Sequence, residues 1–296
     1  MIKILPIAIV NGFLIGGIYA LTAIGLTLIF GVMGVANFAQ GAFVMVGMYL
    51  AYWLFILAGV DPYLSIIPAF AALYFLGWFV QKYLLNRIMD APHYDQFLCT
   101  VGIMLILQNL AVFFWPDYRQ IRVSYQTLGL QITPLVRVEV VRVLAFFISI
   151  GMTVGLYYFL KLTRLGKAIR ATSQNKEGAM VVGIDINRIY ILTFAIGSAC
   201  AGVAGAVISP TYPVSNEIGG LFILTAFCVV CLGGMGNYLG ALLGGIIIGM
   251  AESVGTLFIP GGQKQIITFG VFIVLILFRP QGLLRFGGYW QAQSSQ

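Results

Sequence analysis

Apolar residues fill nine long stretches of the chain, near residues 5–30, 40–59, 63–83, 96–115, 140–160, 188–208, 219–233, 239–258 and 264–278. Stretches of about 20 such residues are long enough to cross the hydrocarbon of a bilayer as helices. The pattern predicts an all-α fold: a polytopic transmembrane bundle of about eight or nine segments, some of them discontinuous. The longest polar interval between stretches is 161–187, so no soluble domain is appended and residues 1–296 read as one membrane domain. The first stretch follows a single basic residue, Lys3, and exceeds the length of a signal-peptide core, so it is read as a retained span.

Composition agrees. The chain is 60% hydrophobic and 8% charged, with a mean hydropathy of +0.99. A soluble domain needs roughly 25% charged residues to cover its surface. The net charge of +7 would suggest nucleic acid in a soluble protein, but here it reads as the positive-inside bias of membrane proteins. Lys161, Arg164, Lys167, Arg170, Lys176 and Arg188 crowd one interval and place it in the cytoplasm. Arg279 and Arg285 point the same way. Counting back sets 259–263 outside, 233–237 at or near the inner face, 211–220 outside, 84–95 inside and Asp61 outside. The N-terminus is then outside if 5–30 crosses once. The interval 116–139 falls outside although it carries Arg119, Arg122 and Arg137, because the 161–188 cluster is larger and tighter.

Within that cytoplasmic interval the sequence predicts a very short helix. Residues 161–171 read as a basic continuation of the preceding span. Asn175 is a good N-cap, since its side chain accepts a backbone N–H of the next turn. Glu177 falls where the helix dipole favours a carboxylate. Lys-Glu-Gly-Ala-Met-Val-Val then makes two turns at most, Gly183 is placed to end them in a left-handed conformation, and Asp185 caps the next span. Gly178, Ala179, Met180 and Val182 are small or apolar residues that no membrane requires. They fit either a well-capped connector or a knob that docks in a partner's groove.

Small residues four apart (Gly12/Gly16, Gly197/Ala201/Gly205 and Gly236/Gly240/Gly244) are the spacing by which helices approach closely in lipid. Two further glycine-rich segments share Gly-x-Met-Gly followed by a later Gly-Ala: residues 31–42, with Asn37 and Gln40, and residues 233–245, with Asn237. They suggest an internal repeat. Each interrupts an apolar run with polar side chains, as discontinuous helices do where unwound backbone lines a path. A short connecting loop is the other reading.

Little in the chain suits an enzyme or a carrier. The cysteines (Cys99, Cys200, Cys228 and Cys231) and the single histidine, His93, form no second pair to complete Cys-Val-Val-Cys as a metal or redox site. A nucleophile with its base and a pair of intramembrane carboxylates are likewise missing. Only Glu252 resembles the intramembrane acid an ion-coupled carrier would use. The nearest approach to a phosphate loop, Leu-Gly-Lys-Ala, lacks both the spacing and the Ser/Thr. No metal, cofactor or ATP site is expected in this chain, so energy for transport has to enter from another subunit.

The interval Ala-Ile-Arg-Ala-Thr-Ser-Gln-Asn-Lys-Glu-Gly-Ala-Met-Val-Val-Gly-Ile-Asp (168–185) resembles the cytoplasmic coupling loop of ABC-importer permeases, matching at Glu177, Gly178, Ala179 and Gly183 and lacking the downstream Leu-Pro. The stretches 25–51 and 233–253 are similar to the signatures of branched-chain amino-acid ABC permeases of the LivH type. The likeness runs in order from Asn11-Gly12-Phe13 to Arg279-Pro280-Gln281. It implies a permease subunit of a bacterial ABC importer in the inner membrane, with no enzymatic activity and no nucleic acid partner. Its implied partners are a second, LivM-type permease, two cytoplasmic ATPases that bind the ATP, and a periplasmic solute-binding protein. It also implies a substrate pathway past Gly34, Asn37, Gln40, Gly41, Gly234 and Asn237, and coupling through Arg170, Asn175, Glu177, Ala179 and Gly183. Many relatives carry Asn-x-Ala-His-Gly-Glu where this chain reads Asn37-Phe38-Ala39-Gln40-Gly41-Ala42. The solute expected first is therefore a branched-chain or other hydrophobic amino acid, then a related carboxylate or a small amide such as urea. An ion-coupled secondary transporter or a channel is the alternative.

Overall fold

The computed structural model describes residues 5–115, 118–123, 125, 129–133, 136–258, 264–278 and 282–283. The chain is built from helices α1 (Leu5–Met33), α2 (Ala39–Ala58), α3 (Ile66–Tyr83), α4 (His93–Phe114), α5 (Val140–Leu162), α6 (Arg164–Gln174), α7 (Lys176–Val181), α8 (Ile186–Ile208), α9 (Ile218–Gly233), α10 (Tyr238–Gly255) and α11 (Lys264–Phe278). All nine expected apolar stretches are helical. Seven (α1–α5, α8 and α10) are long and apolar enough to cross a membrane, the α3 span being counted on through the following 3-10 turn to Arg87. The other two, α9 with 16 residues and α11 with 15, are shorter. At 1.5 Å per residue such helices fall short of a hydrocarbon core about 30 Å thick.

Helices α1 and α8 form the centre and are largely buried, whereas α4 is mostly exposed. Leu98, Phe113 and Phe147 stand out on α4 and α5, which suits helices that meet lipid or a neighbouring subunit. The central contacts run backbone to backbone. A Cβ on Gly16 would press on the Cα of Ile246, and one on Gly249 would press on Gly16 in return, so α1 and α10 meet glycine to glycine. Gly197 lies against Gly25 and Ile29 of α1, and Gly205 against Val44 and Gly47 of α2. The small-residue ladders are thus helix seams, as their spacing predicts.

Two features depart from the sequence reading. Residues Gly129–Thr133 and Val136–Glu139 form an antiparallel hairpin, β1 and β2, with Leu130 opposite Val138 and Gln131 opposite Arg137. The sequence pattern predicts no strand here, because neither strand is long enough to set up an apolar alternation. The basic stretch after Leu162 does not continue α5. Thr163 breaks the helix in an extended conformation, and its hydroxyl accepts the Gly166 N–H at 2.9 Å to start α6. Gly166 then lies against the backbone of Phe159 and Leu160, and α6 packs on α1, α5 and α8.

The hairpin region also settles which ends of the bundle belong together. Arg119 and Val214 exchange backbone hydrogen bonds at 3.0 and 2.7 Å. The Tyr125 hydroxyl donates to the Asp61 carboxylate at 2.6 Å, and Tyr63 donates to the Val141 carbonyl at 2.8 Å. Burial and the Asp61 carboxylate together hold the Tyr125 phenol well above its ordinary range. Asp61, the arginine-bearing interval and 211–217 therefore share one end. Helices α5 and α8 run from there to α6 and α7 at the other. That is the arrangement the charge count predicts, reached without using charge.

Candidate functional site

Two glycine breaks and one short helix make up the site. In the first break α1 stops at Met33 and Gly34 turns with φ +69°. The chain passes Val35 and Ala36, and Asn37 then accepts the Ala39 N–H at 3.1 Å to begin α2. In the second, α9 ends at Gly233, and Gly234 and Gly236 take φ of +94° and +85°. Asn237 accepts the Gly240 N–H at 3.0 Å to begin α10. The two breaks are related but not identical. In each a glycine at positive φ follows the helix end and an asparagine stands three residues later, but Asn237 is the N-cap of α10 whereas Asn37 lies one residue before Phe38, the N-cap of α2, and braces the turn. The equivalent pairs are Gly34/Asn37 and Gly234/Asn237, an interval that matching the Met-Gly dipeptides obscures by two residues.

The fold brings the breaks together. A Cβ on Gly31 would lie 2.6 Å from the Gly236 Cα, so the end of α1 rests on the second break. Leu283 returns from beyond α11 and donates its N–H to the Leu232 carbonyl at 2.7 Å, holding the end of α9. Asn37 and Gln40 are buried. Asn37 donates to the Gln40 side-chain oxygen at 3.3 Å, and Gln40 donates to the Gly197 carbonyl at 3.1 Å, which ties the break to α8. Gly41 packs directly on Gly219 of α9. Thr100 of α4, which the sequence reading missed, bonds the Ala36 carbonyl and the Phe38 N–H, both at 3.3 Å. The accessible part of the first break is a cleft of about 400 Å³ between Gly34–Ala36 and the start of α4 at His93, Tyr94 and Phe97.

Helix α7 sits beyond α6 at the same end. Asn175 caps it, accepting the Gly178 N–H at 2.8 Å, and Gly183 closes it at φ +83°. The Ile184 N–H reaches back to the Ala179 carbonyl at 3.0 Å, and Asp185 caps α8 through the Arg188 N–H at 3.2 Å. Every cap the sequence predicts is present, because capping is a local matter of three or four residues. The facing of the side chains is different. Ala179 points inward and is buried, whereas Val181 is 87% and Val182 74% exposed and Met180 is half exposed. Arg170, Asn175, Glu177 and Gly183 are exposed around them. A cleft of about 580 Å³ flanks α7, between Met180 and Lys176 on one side and Asn86 to Asp90 on the other.

At the opposite end Glu252 is buried in α10. The Tyr19 hydroxyl lies 2.8 and 3.0 Å from its two carboxylate oxygens, and Thr268 donates to it at 3.3 Å. Sequence spacing links none of these three, since they come from α1, α10 and α11. Among the described residues, no group of three His, Cys, Asp or Glu side chains converges as a metal site would. The four cysteines are free thiols.

Seven apolar spans, two adjoining glycine turns that each reverse the chain between neighbouring helices, and a capped knob at one end define a multi-pass membrane transport subunit. The breaks are thus the short connections of the second reading and not interruptions within one helix. Residues 8–277 match the family described as the permease component of branched-chain amino acid transport systems, and the chain belongs to that family. It is 32% identical to the high-affinity branched-chain amino acid permease protein BraD of Pseudomonas aeruginosa, over 93% of this chain and 94% of that one. It is 28% identical to LivH of Escherichia coli K12, over 93% of each. A probable LivH of Methanocaldococcus jannaschii is 31% identical, over 89% of this chain and 87% of the relative. The E. coli LivM permease is 26% identical over 53% of this chain. No solved structure matches the chain significantly.

Proposed function

We propose that the chain is one of two permease subunits of an inner-membrane importer that moves a branched-chain or similar apolar amino acid at the expense of ATP. Two cytoplasmic ATPases supply the energy, a periplasmic binding protein delivers the solute, and a LivM-type chain is the second permease. The likeness to both LivH and LivM proteins supports a pair of related permeases. The observation that carries the reading is α7, a helix of six residues capped at both ends, presenting Met180, Val181 and Val182 to water. Apolar side chains gathered on a short, rigid projection have a use only if a partner covers them.

Force applied to α7 passes to α6, which packs on α1, whose end rests on the second break, and on α8, to which the first break is tied. The breaks then change shape together, which is alternating access by rigid-body rocking. The path runs past Gly34, Gly41, Gly234 and Asn237. Asn37 and Gln40, tied into the packing, set the form of the path rather than the identity of the solute. Selectivity lies mainly with the binding protein.

The test is reconstitution of the co-purified complex in liposomes. Leucine uptake is expected to require ATP and the binding protein and to ignore proton and sodium gradients. Uptake driven by an ion gradient without any ATPase would establish the secondary-transporter reading instead.

A further inference from the structure

Between α1, α5 and α10, at the end opposite α7, lies a cavity of about 170 Å³. Its walls are Asn11, Ile15, Arg142, Glu252, Ser253 and Thr256. At roughly 30 Å³ per water it has the volume of five or six water molecules, which suits one small solute and not a peptide. An acid and a base line the same small space, in a chain where 8% of residues are charged. A carboxylate buried inside a membrane bundle is expensive and marks a solute or ion pathway unless a role in packing accounts for it.

We propose that this cavity receives the head of the transported amino acid, with Glu252 taking the ammonium group and Arg142 the carboxylate. The assignment rests on the solute being an amino acid, as proposed above. Glu252 is held by Tyr19 and Thr268, and those bonds fix the carboxylate in the cavity wall. Arg142 meets Glu139 through Nε at 2.9 Å, so the flat fork of its terminal nitrogens is the part suited to a second carboxylate.

Ser253 donates to the Ala8 carbonyl at 2.7 Å and Thr256 to the Ser253 carbonyl at 2.9 Å, so their hydroxyl oxygens remain acceptors. Ile15 supplies an apolar wall. Tyr212, in the connection after α8, lies within electrostatic reach of both charges. Burial raises its phenol, Glu252 raises it further and Arg142 opposes them. The charge count places this end outside, where a solute released by a binding protein would arrive. It is a first station, separate from the breaks at the other end.

Photolabelling of the complete transporter tests this. The complex with its binding protein, turning over ATP, is irradiated with a diazirine analogue of leucine, and the labelled peptides are mapped. Label is expected on residues 11–15 and 252–256. Leucine should compete about tenfold or more strongly than 4-methylpentanoic acid, which lacks the ammonium, or 3-methylbutylamine, which lacks the carboxylate; one charge-assisted hydrogen bond supports a ratio of that order.

Glu252→Gln should abolish the preference for leucine over the acid and keep that over the amine. Arg142→Gln should do the reverse. Weaker but measurable labelling in both variants, with neither ratio changed, would mean a packing role only and overturn the assignment. Label confined to other helices in the unaltered protein overturns the site even if neither variant folds. A wild-type complex that transports no amino acid refutes the functional reading and this site with it, whereas leucine uptake with label elsewhere refutes the site alone.

Discussion

Gln40 is the side chain that ties the first break into the bundle, and its surroundings explain how a neutral amide serves there. Its Nε2 donates to the Gly197 carbonyl and its oxygen accepts from Asn37, with the side chain closed off from solvent. One of these neutral bonds fastens α2 to α8 and the other ties Gln40 to the break, without a buried charge. Removing one partner of such a pair leaves the other unsatisfied and costs about 1–3 kcal/mol. Gln40→Ala should lower the detergent-solubilised protein's unfolding temperature, read by tryptophan fluorescence, and leave solute preference unchanged. An altered preference with unaltered stability would place Gln40 on the path itself. Gly16 makes the harder demand: with α10 backbone where its Cβ would go, no side chain fits without parting the α1–α10 seam.

The elements divide by how local their causes are. The α7 unit follows from Asn175, Gly183 and Asp185, each acting within a few residues, and all three were legible in the sequence. So was the recurring glycine break, though its true register needed the backbone, because two candidate glycines precede Asn237. The facing of α7 was not legible: whether Ala179 or Val181 turns outward depends on how α6 lies on α1 and α8, and the Thr163 break that sets this was hidden in a basic run. Thr163 before Arg-Leu-Gly is nevertheless a recognisable cap signal. The β1–β2 hairpin was equally hidden.

Gly183 offers a direct test at this scale. A β-branched residue forced to φ +83° costs of order 1–3 kcal/mol. Gly183→Val should speed hydrogen exchange at Ala179–Ile184 and weaken coupling without reducing membrane insertion. Unchanged exchange would mean that the left-handed closure is dispensable.

At the scale of the molecule, the bundle has two ends with separate tasks. One gathers Asp61, Tyr125, the Arg119–Val214 pairing and the Glu252 cavity; the other holds both glycine breaks, α6 and α7. Single cysteines in a cysteine-free background test the division. Arg122→Cys and Glu217→Cys, both at exposed positions, should react with an impermeant maleimide from outside, and Lys167→Cys only from the cytoplasm. Labelling of positions 167 and 217 from one side would break the assignment of α8 as a single crossing.

The central claim is that ATP-derived force enters through the exposed apolar face of α7, and Val181→Asp addresses it most directly. Val181 is 87% exposed and packs little within this chain, so the substitution should spare folding, insertion and pairing with the second permease. The measurement is leucine uptake and ATP hydrolysis side by side in proteoliposomes. The account predicts uptake at least tenfold below wild type, with hydrolysis no longer stimulated by the loaded binding protein, as expected when a charge is driven into an apolar docking groove. Normal uptake with normally stimulated hydrolysis would contradict it.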